Sequence, residues 1–190
     1  MPSSRHHNEW LSLIDVSGPF LSVPVLERVF PQGLDPHDPE HTRLLKLAFE
    51  EWEDNQQGER SNPAIHREWI NFVLKQTLGL PDEVLAEGQS IPQTLRASIA
   101  EHGENLRPDI VVRNPEGVPD AGKARMVVQT YPPTQDLEKP IPGLHWKASP
   151  ATRMMELLHA TDTRLGLVTK AFGRFYFTCP LLFSGLMVMS

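Results

Sequence analysis

The chain is expected to fold as an α/β domain, with a mixed sheet preceded by helices. Three observations lead there. Residues 109–113 (Asp-Ile-Val-Val-Arg) and 125–131 (Arg-Met-Val-Val-Gln-Thr-Tyr) are β-branched and apolar, and a polar loop separates them. Ser149-Pro150 opens a helix that reaches about Ala160, and an apolar strand follows at 164–169. Upstream, Asp38-Pro39 and Asn62-Pro63 each read as a helix start.

In chain order, residues 1–37 are rich in Pro, Gly and Ser with scattered apolar residues, and are expected to form an irregular segment with a helical turn or two. The first helix has Asp38 as its N-cap, Pro39 in the first turn and Glu40 at the positive end of the helix dipole. Leu44, Leu45, Leu47, Ala48 and Trp52 make its apolar stripe, and Gly58 stops it. The second helix starts at Asn62-Pro63, buries Ile65, Trp69, Ile70, Phe72, Val73 and Leu74, and ends at Gly79. A short strand is expected over 84–86. A third helix is expected from Ser90-Pro92 to about His102, before Gly103.

The strands 109–113 and 125–131 then make a hairpin. Its turn, Asn114 to Lys123, holds two prolines and two glycines. A Pro-rich loop, 132–145, leads to the helix at Ser149, whose Met154, Met155, Leu157 and Leu158 face inward. From this order, 38–169 is expected to be one α/β domain and 170–190 an atypical apolar tail. Arg174 is the only charge between 171 and 190. There is no internal repeat and no Gly-rich phosphate loop.

Composition bounds the function. At 190 residues the chain can bury a substantial core, and 39% hydrophobic with 22% charged residues fits a soluble globular protein. A net charge of −6 argues against a large nonspecific nucleic-acid surface, although a local basic groove is compatible with it. Cys179 is the single cysteine, so no intrachain disulfide framework exists, and a cytoplasmic setting is expected. The uncharged run Phe175–Ser190 has 16 residues and contains Pro180 and Gly185, whereas a membrane span needs about 20.

Pro108-Asp109 at the head of one strand, then a second strand and a helix, is how a metal-dependent nuclease core is laid out. Hydrolysis of a phosphodiester with Mg²⁺ needs carboxylates on adjacent strands to hold the ion that activates water. Asp109 stands where the first carboxylate belongs and is the candidate metal ligand. The second strand should carry an acid and, two residues on, a lysine; those positions hold Gln129 and Tyr131. Glu68, on the second helix, is the candidate for a further carboxylate, and Lys123 and Lys139 lie in flanking loops. Lys123, Arg125, Lys147 and Arg153, near the hairpin and the helix start, are the candidate DNA contacts. His102, His145 and His159 lack metal-ligand spacing, and Ser149 reads as a cap rather than a nucleophile.

Several blocks together, from Gly18-Pro-Phe-Leu-Ser-Val-Pro-Val-Leu26 and Phe30-Pro-Gln-Gly-Leu34 through Pro108-Asp109, Trp146-Lys-Ala-Ser-Pro150 and Arg153-Met-Met-Glu-Leu-Leu158 to Leu165-Gly-Leu-Val-Thr169, carry a resemblance. Over residues 10–169 the chain resembles the N-terminal region of type IIG-like restriction–modification adenine methylases of bacterial phage-defence systems such as DISARM and BREX. The resemblance implies a PD-(D/E)xK nuclease-like core, Mg²⁺ as cofactor of an active form, and DNA with methylase or other defence subunits as partners. Three departures stand out. The acid-x-Lys element reads Gln129-Thr-Tyr131. The continuation Lys170-Ala-Phe-Gly-Arg174 is unlike the family, as from a truncated or frame-shifted reading frame. No Asn-Pro-Pro-Tyr methylase motif follows. The expectation is a catalytically degenerate nuclease-like fragment for DNA contact or assembly. The alternatives are an active Mg²⁺-dependent endonuclease and a noncatalytic interaction module with no DNA role.

Overall fold

The structure, a computed structural model, describes residues 14–17, 23–32, 38–58, 62–170, 175–178 and 186–189. It is a mixed α/β protein whose chain divides into two compact units. One is Asp35–Glu83; the other combines Met1–Leu34 with Val84–Ser190. The span 38–169, expected to form one domain, is therefore shared between them: its first two helices make a unit of their own.

In the helical unit the cap signals work as physical chemistry demands. The Asp38 carboxylate accepts from the backbone N–H of Glu40 (2.9 Å) and His41 (3.3 Å) and starts a helix at Pro39–Gln57. Asn62 accepts from Ala64 N at 3.0 Å and starts a helix at Pro63–Phe72, which runs on as a π-helical turn over Val73–Thr77. Asn55 ties the two together, donating to Asn62 O and accepting from Asn62 N at 2.7 Å. The interior is aromatic: Trp52 is fully buried, Phe49 meets Trp69 edge-on at 5.7 Å, and Trp69 stacks on Phe72 at 6.3 Å. The Trp52 indole N–H donates to His66 Nδ1 at 3.2 Å, which holds that imidazole nitrogen as an acceptor. The expected leucine stripe is corrected here. Leu44 and Leu47 are 42% and 49% exposed, and Trp52 is the one fully buried side chain of that set.

Among the described residues the α/β unit has nine short strands: β1 Ile14–Ser17, β2 Leu85–Glu87, β3 Ala97–Ile99, β4 Glu104–Leu106, β5 Ile110–Arg113, β6 Ala124–Thr130, β7 Leu165–Thr169, β8 Phe175–Thr178 and β9 Leu186–Met189. Seven form one sheet in the order β1-β9-β8-β7-β6-β5-β2, and β3 with β4 makes a separate hairpin. The hairpin of β5 and β6 pairs Ile110 with Val128 and Val111 with Val127, with an irregularity at Val112/Arg113. β6 and β7 are parallel, Val127 opposite Gly166. A parallel pair needs a crossover, and the helix Pro150–Thr161 supplies it. Ser149 Oγ accepts from Thr152 N at 3.2 Å to cap that helix, and Asp162, in a left-handed conformation at φ 50°, ends it. Val111, Val127, Met154, Leu157, Leu158 and Val168 pack as the core between helix and sheet.

One expectation gives way. The stretch from Ser90 to His102 is not a helix; it contains a 3₁₀ turn and strand β3. Leu95, Ala97 and Ile99 all pack on the core, a spacing of two rather than of three and four. The apolar tail supplies strands. Residues 175–178 pair antiparallel with β7 (Leu167 opposite Phe177), and 186–189 extend the sheet toward β1. Leu181, Leu182 and Phe183 lie outside the described residues. Within residues 1–37, a helix spans Val23–Val29 and a strand Ile14–Ser17.

Candidate functional site

The site is built where β5 begins beside the end of β6. Asp109 N donates to Val128 O at 2.9 Å, so the residue is already tied to the ladder before the first full strand position. Its carboxylate bends to the neighbouring strand: Oδ2 accepts from Thr130 N at 2.7 Å and from Thr130 Oγ1 at 3.2 Å. Although the residue as a whole is exposed, the protein mass around the carboxyl raises its pKa above the ordinary 3.8, outweighing the two bonds from Thr130.

Gln129, near the end of β6, and Tyr131, one residue beyond it, are two apart and lie on the other face from Thr130. Gln129 is 6% exposed. Its Nε2 donates to Arg107 O at 3.3 Å and its Oε1 accepts from the Tyr131 hydroxyl at 3.3 Å. Burial pushes the Tyr131 phenol up to about 12; the Arg153 charge opposes that shift and the Asp109 charge adds to it. At the two positions where the sequence leads one to expect an acid and a lysine, the chain has an amide and a phenol bonded to each other.

Arg153 is corrected by the structure. It is buried, not a surface phosphate contact, and its Nη2 donates to Glu104 Oε2 at 2.6 Å. Its guanidinium lies 5.1 Å from the centroid of the Trp146 ring, whose other neighbour is His102 at 5.9 Å. Glu104 also accepts from Trp146 N at 3.0 Å, and that bond, with the one from Arg153, holds its carboxyl below the ordinary range. Of the other candidate DNA contacts, Lys123 is exposed and bonded to Asp120 at 2.6 Å. Arg125 and Lys147 are exposed and form no ion pair among the described residues. Lys139 pairs with Asp136 in its own loop at 3.1 Å. Glu68 is an exposed residue of the helical unit.

The donor set does not fit a Mg²⁺ ion. Mg²⁺ asks for oxygen ligands in near-octahedral order, usually with one or two carboxylates. Here one oxygen of Asp109 is committed to Thr130, Gln129 is engaged at both ends, and no group of three His, Cys, Asp or Glu able to hold a metal occurs among the described residues.

Beside Asp109 lies an open cleft of about 680 Å³, lined by Gln89, Ile91, Gln93, Arg107, Pro108 and Asp109. Sequence reasoning found only Asp109 of this set. Pro-Asp at a strand start is a local signal, whereas Gln89 and Gln93 come within reach only because β2 pairs with β5. Thr130, Glu104 and Trp146 were missed for the same reason: their roles are long-range hydrogen bonds that leave no local pattern. Among the described residues, no helix is long and apolar enough to cross a membrane. Comparison with protein-family models, with curated proteins and with solved structures finds no match.

Proposed function

We propose that the α/β unit is a nuclease-like core that has lost its chemistry and serves a restriction–modification or phage-defence protein as a DNA-contact or assembly domain. The observation that carries this reading is the Gln129–Tyr131 hydrogen bond, which fills the acid-x-Lys positions with two neutral groups. The strand order supports it too: Pro108-Asp109 opens a hairpin whose second strand leads through a crossover helix into a parallel third strand. In that frame Asp109 works as a strand-end cap for Thr130, and the restriction–modification resemblance supplies the setting. DNA, methylase and partner subunits are the proposed partners.

Contact with duplex DNA would run through Arg125 and Lys147, which are exposed and form no ion pair among the described residues, with Lys123 as a weaker third because Asp120 neutralises it. The test uses the full chain. Plasmid incubated with Mg²⁺ or Mn²⁺ stays uncut, and metal-dependent nicking that vanishes in Asp109→Ala would instead establish an endonuclease. Duplex binding measured by fluorescence anisotropy weakens by about tenfold between 50 and 200 mM salt, as two phosphate contacts require. Absence of binding at low salt leaves a noncatalytic interaction module with no DNA role.

A further inference from the structure

The cleft beside Asp109 is used by neither the sheet nor the core. Its two walls are fixed by hydrogen bonds between side chains and backbone and by one backbone pair. On one wall, Arg107 O accepts from Gln129 and Asp109 N donates to Val128 O, so residues 107–109 are held at the strand start. On the other, Ser90 Oγ accepts from Glu87 N and donates to Glu87 O, both at 2.8 Å, which locks the turn Gly88–Ser90 that carries Gln89. Ile91 is 3% exposed and Pro108 is buried, which gives the cleft an apolar floor.

Arg107 is exposed and forms no ion pair among the described residues, although a carboxylate two positions away lines the same cleft. Asp109 has one oxygen turned to Thr130 and the other without a hydrogen bond among the described residues. Gln89 and Gln93 are exposed amides. An isolated inorganic anion would match Arg107 and be repelled by Asp109. A purely apolar ligand would strand four polar side chains. A ligand matching all of them has an anionic end, a hydroxyl-bearing middle and a flat heterocycle edged with donors and acceptors.

We propose that this cleft binds a nucleotide. The phosphate meets the Arg107 guanidinium in a charge-assisted contact. A sugar hydroxyl donates to the free oxygen of Asp109, and the amides of Gln89 or Gln93 read the base edge, for which a side-chain amide is a natural partner. The base rests on Ile91 and Pro108. The volume, about 680 Å³, lies within the range typical of small-ligand sites. The inference goes beyond the duplex-contact reading and does not depend on it: nucleotide and duplex titrations are separate, and either can fail alone.

The experiment titrates the full chain with AMP, dAMP, adenosine and inorganic phosphate by calorimetry, with ¹H–¹⁵N spectra to locate the response. AMP or dAMP binds, and adenosine and phosphate each bind at least about tenfold more weakly, because each lacks part of the contact set. Arg107→Ala weakens nucleotide binding by about tenfold or more, and Gln93→Ala weakens it to a lesser degree. Both residues are exposed, so circular dichroism should show the fold intact. A single-stranded hexadeoxyadenylate that displaces AMP identifies the nucleotide as one within a strand; failure to displace identifies a free nucleotide. The proposal is overturned if AMP and dAMP do not bind below about 10 mM, a limit weaker than any useful affinity. It is also overturned if phosphate binds as well as AMP, or if folded Arg107→Ala and Gln93→Ala bind as wild type.

Discussion

Gly166 lies in the middle of β7, directly beneath the crossover helix. A Cβ added there would stand 2.7 Å from Met154 Sδ, 2.8 Å from Met154 Cγ and 2.9 Å from Leu158 Cδ1. These are short of ordinary van der Waals contact by roughly 0.5–0.7 Å. Met154 and Leu158 are both fully buried, so neither can swing into solvent to relieve the overlap. Gly166→Ala must therefore lift the helix from the sheet or force both side chains off their rotamers, at a cost of about 2–3 kcal/mol. For a chain of this size that lowers the melting temperature by about 4–12 °C. Thermal denaturation followed by circular dichroism reads the shift. Gly58→Ala serves as the control: its Cβ would meet only Asn55 O at 3.6 Å and Asp54 O at 3.7 Å, with φ at an ordinary −69°. It should hold stability or raise it by up to about 1 kcal/mol. In a Met154→Ala background the Gly166→Ala penalty should shrink, since the two positions share one contact. A Gly166→Ala protein melting within about 1 °C of wild type would refute the packing of helix 150–161 on β7 in this register.

Four further outcomes follow from the site and the caps. Asp109 holds its proton more tightly in the folded state than in the unfolded one, so its ionisation opposes folding: the stability contributed by this carboxyl is greatest below the ordinary 3.8 and is lost as pH rises through the raised folded value. Asp109→Asn should thus melt higher than wild type at neutral pH, with the gap closing toward pH 3, and a gap independent of pH would show that ionisation is not the cause. The chain has two tyrosines, and ultraviolet titration should show one phenol ionising at about 12 that is lost in Tyr131→Phe; two normal phenols would contradict the burial of Tyr131. Removing one member of the Glu104–Arg153 pair by Glu104→Ala should destabilise more than replacing both with Leu and Met, because the single change strands a buried cation; the reverse order in chemical denaturation would count against the pair as drawn. Ser149→Ala should cost about 1 kcal/mol through the lost bond to Thr152 N, and an unchanged urea midpoint would mean the helix start is held otherwise.

The elements readable in the sequence are those governed by neighbours in the chain. Asp38, Asn62 and Ser149 cap helices because a short polar side chain satisfies a backbone N–H two or three residues on, and the following proline lacks an N–H to lose. The hairpin of 110–113 and 124–130 was legible from its β-branched runs and the long loop between them. The helix expected over 90–102 failed because Pro92, Gly103 and a polar stretch look like helix punctuation, while the deciding signal was an alternation of only three residues, Leu95, Ala97 and Ile99. Arg153 read as a surface charge because nothing local reveals Glu104, 49 residues away, as its partner.

By itself, the sequence determined that helices begin at Pro39, Pro63 and Pro150, that 110–113, 124–130 and 165–169 are strands, and that Gln129 and Tyr131 stand two apart at the end of the second of these. Only the tertiary structure decided that 38–169 is shared between two units, that Asp109 is turned onto Thr130, that Arg153 is buried, and that Gln89 and Gln93 share a cleft with Arg107. The division is physical. Caps and strand periods are set within a few residues, whereas burial, ion pairing and clefts depend on which distant strands lie side by side, and that is fixed by packing the whole core at once.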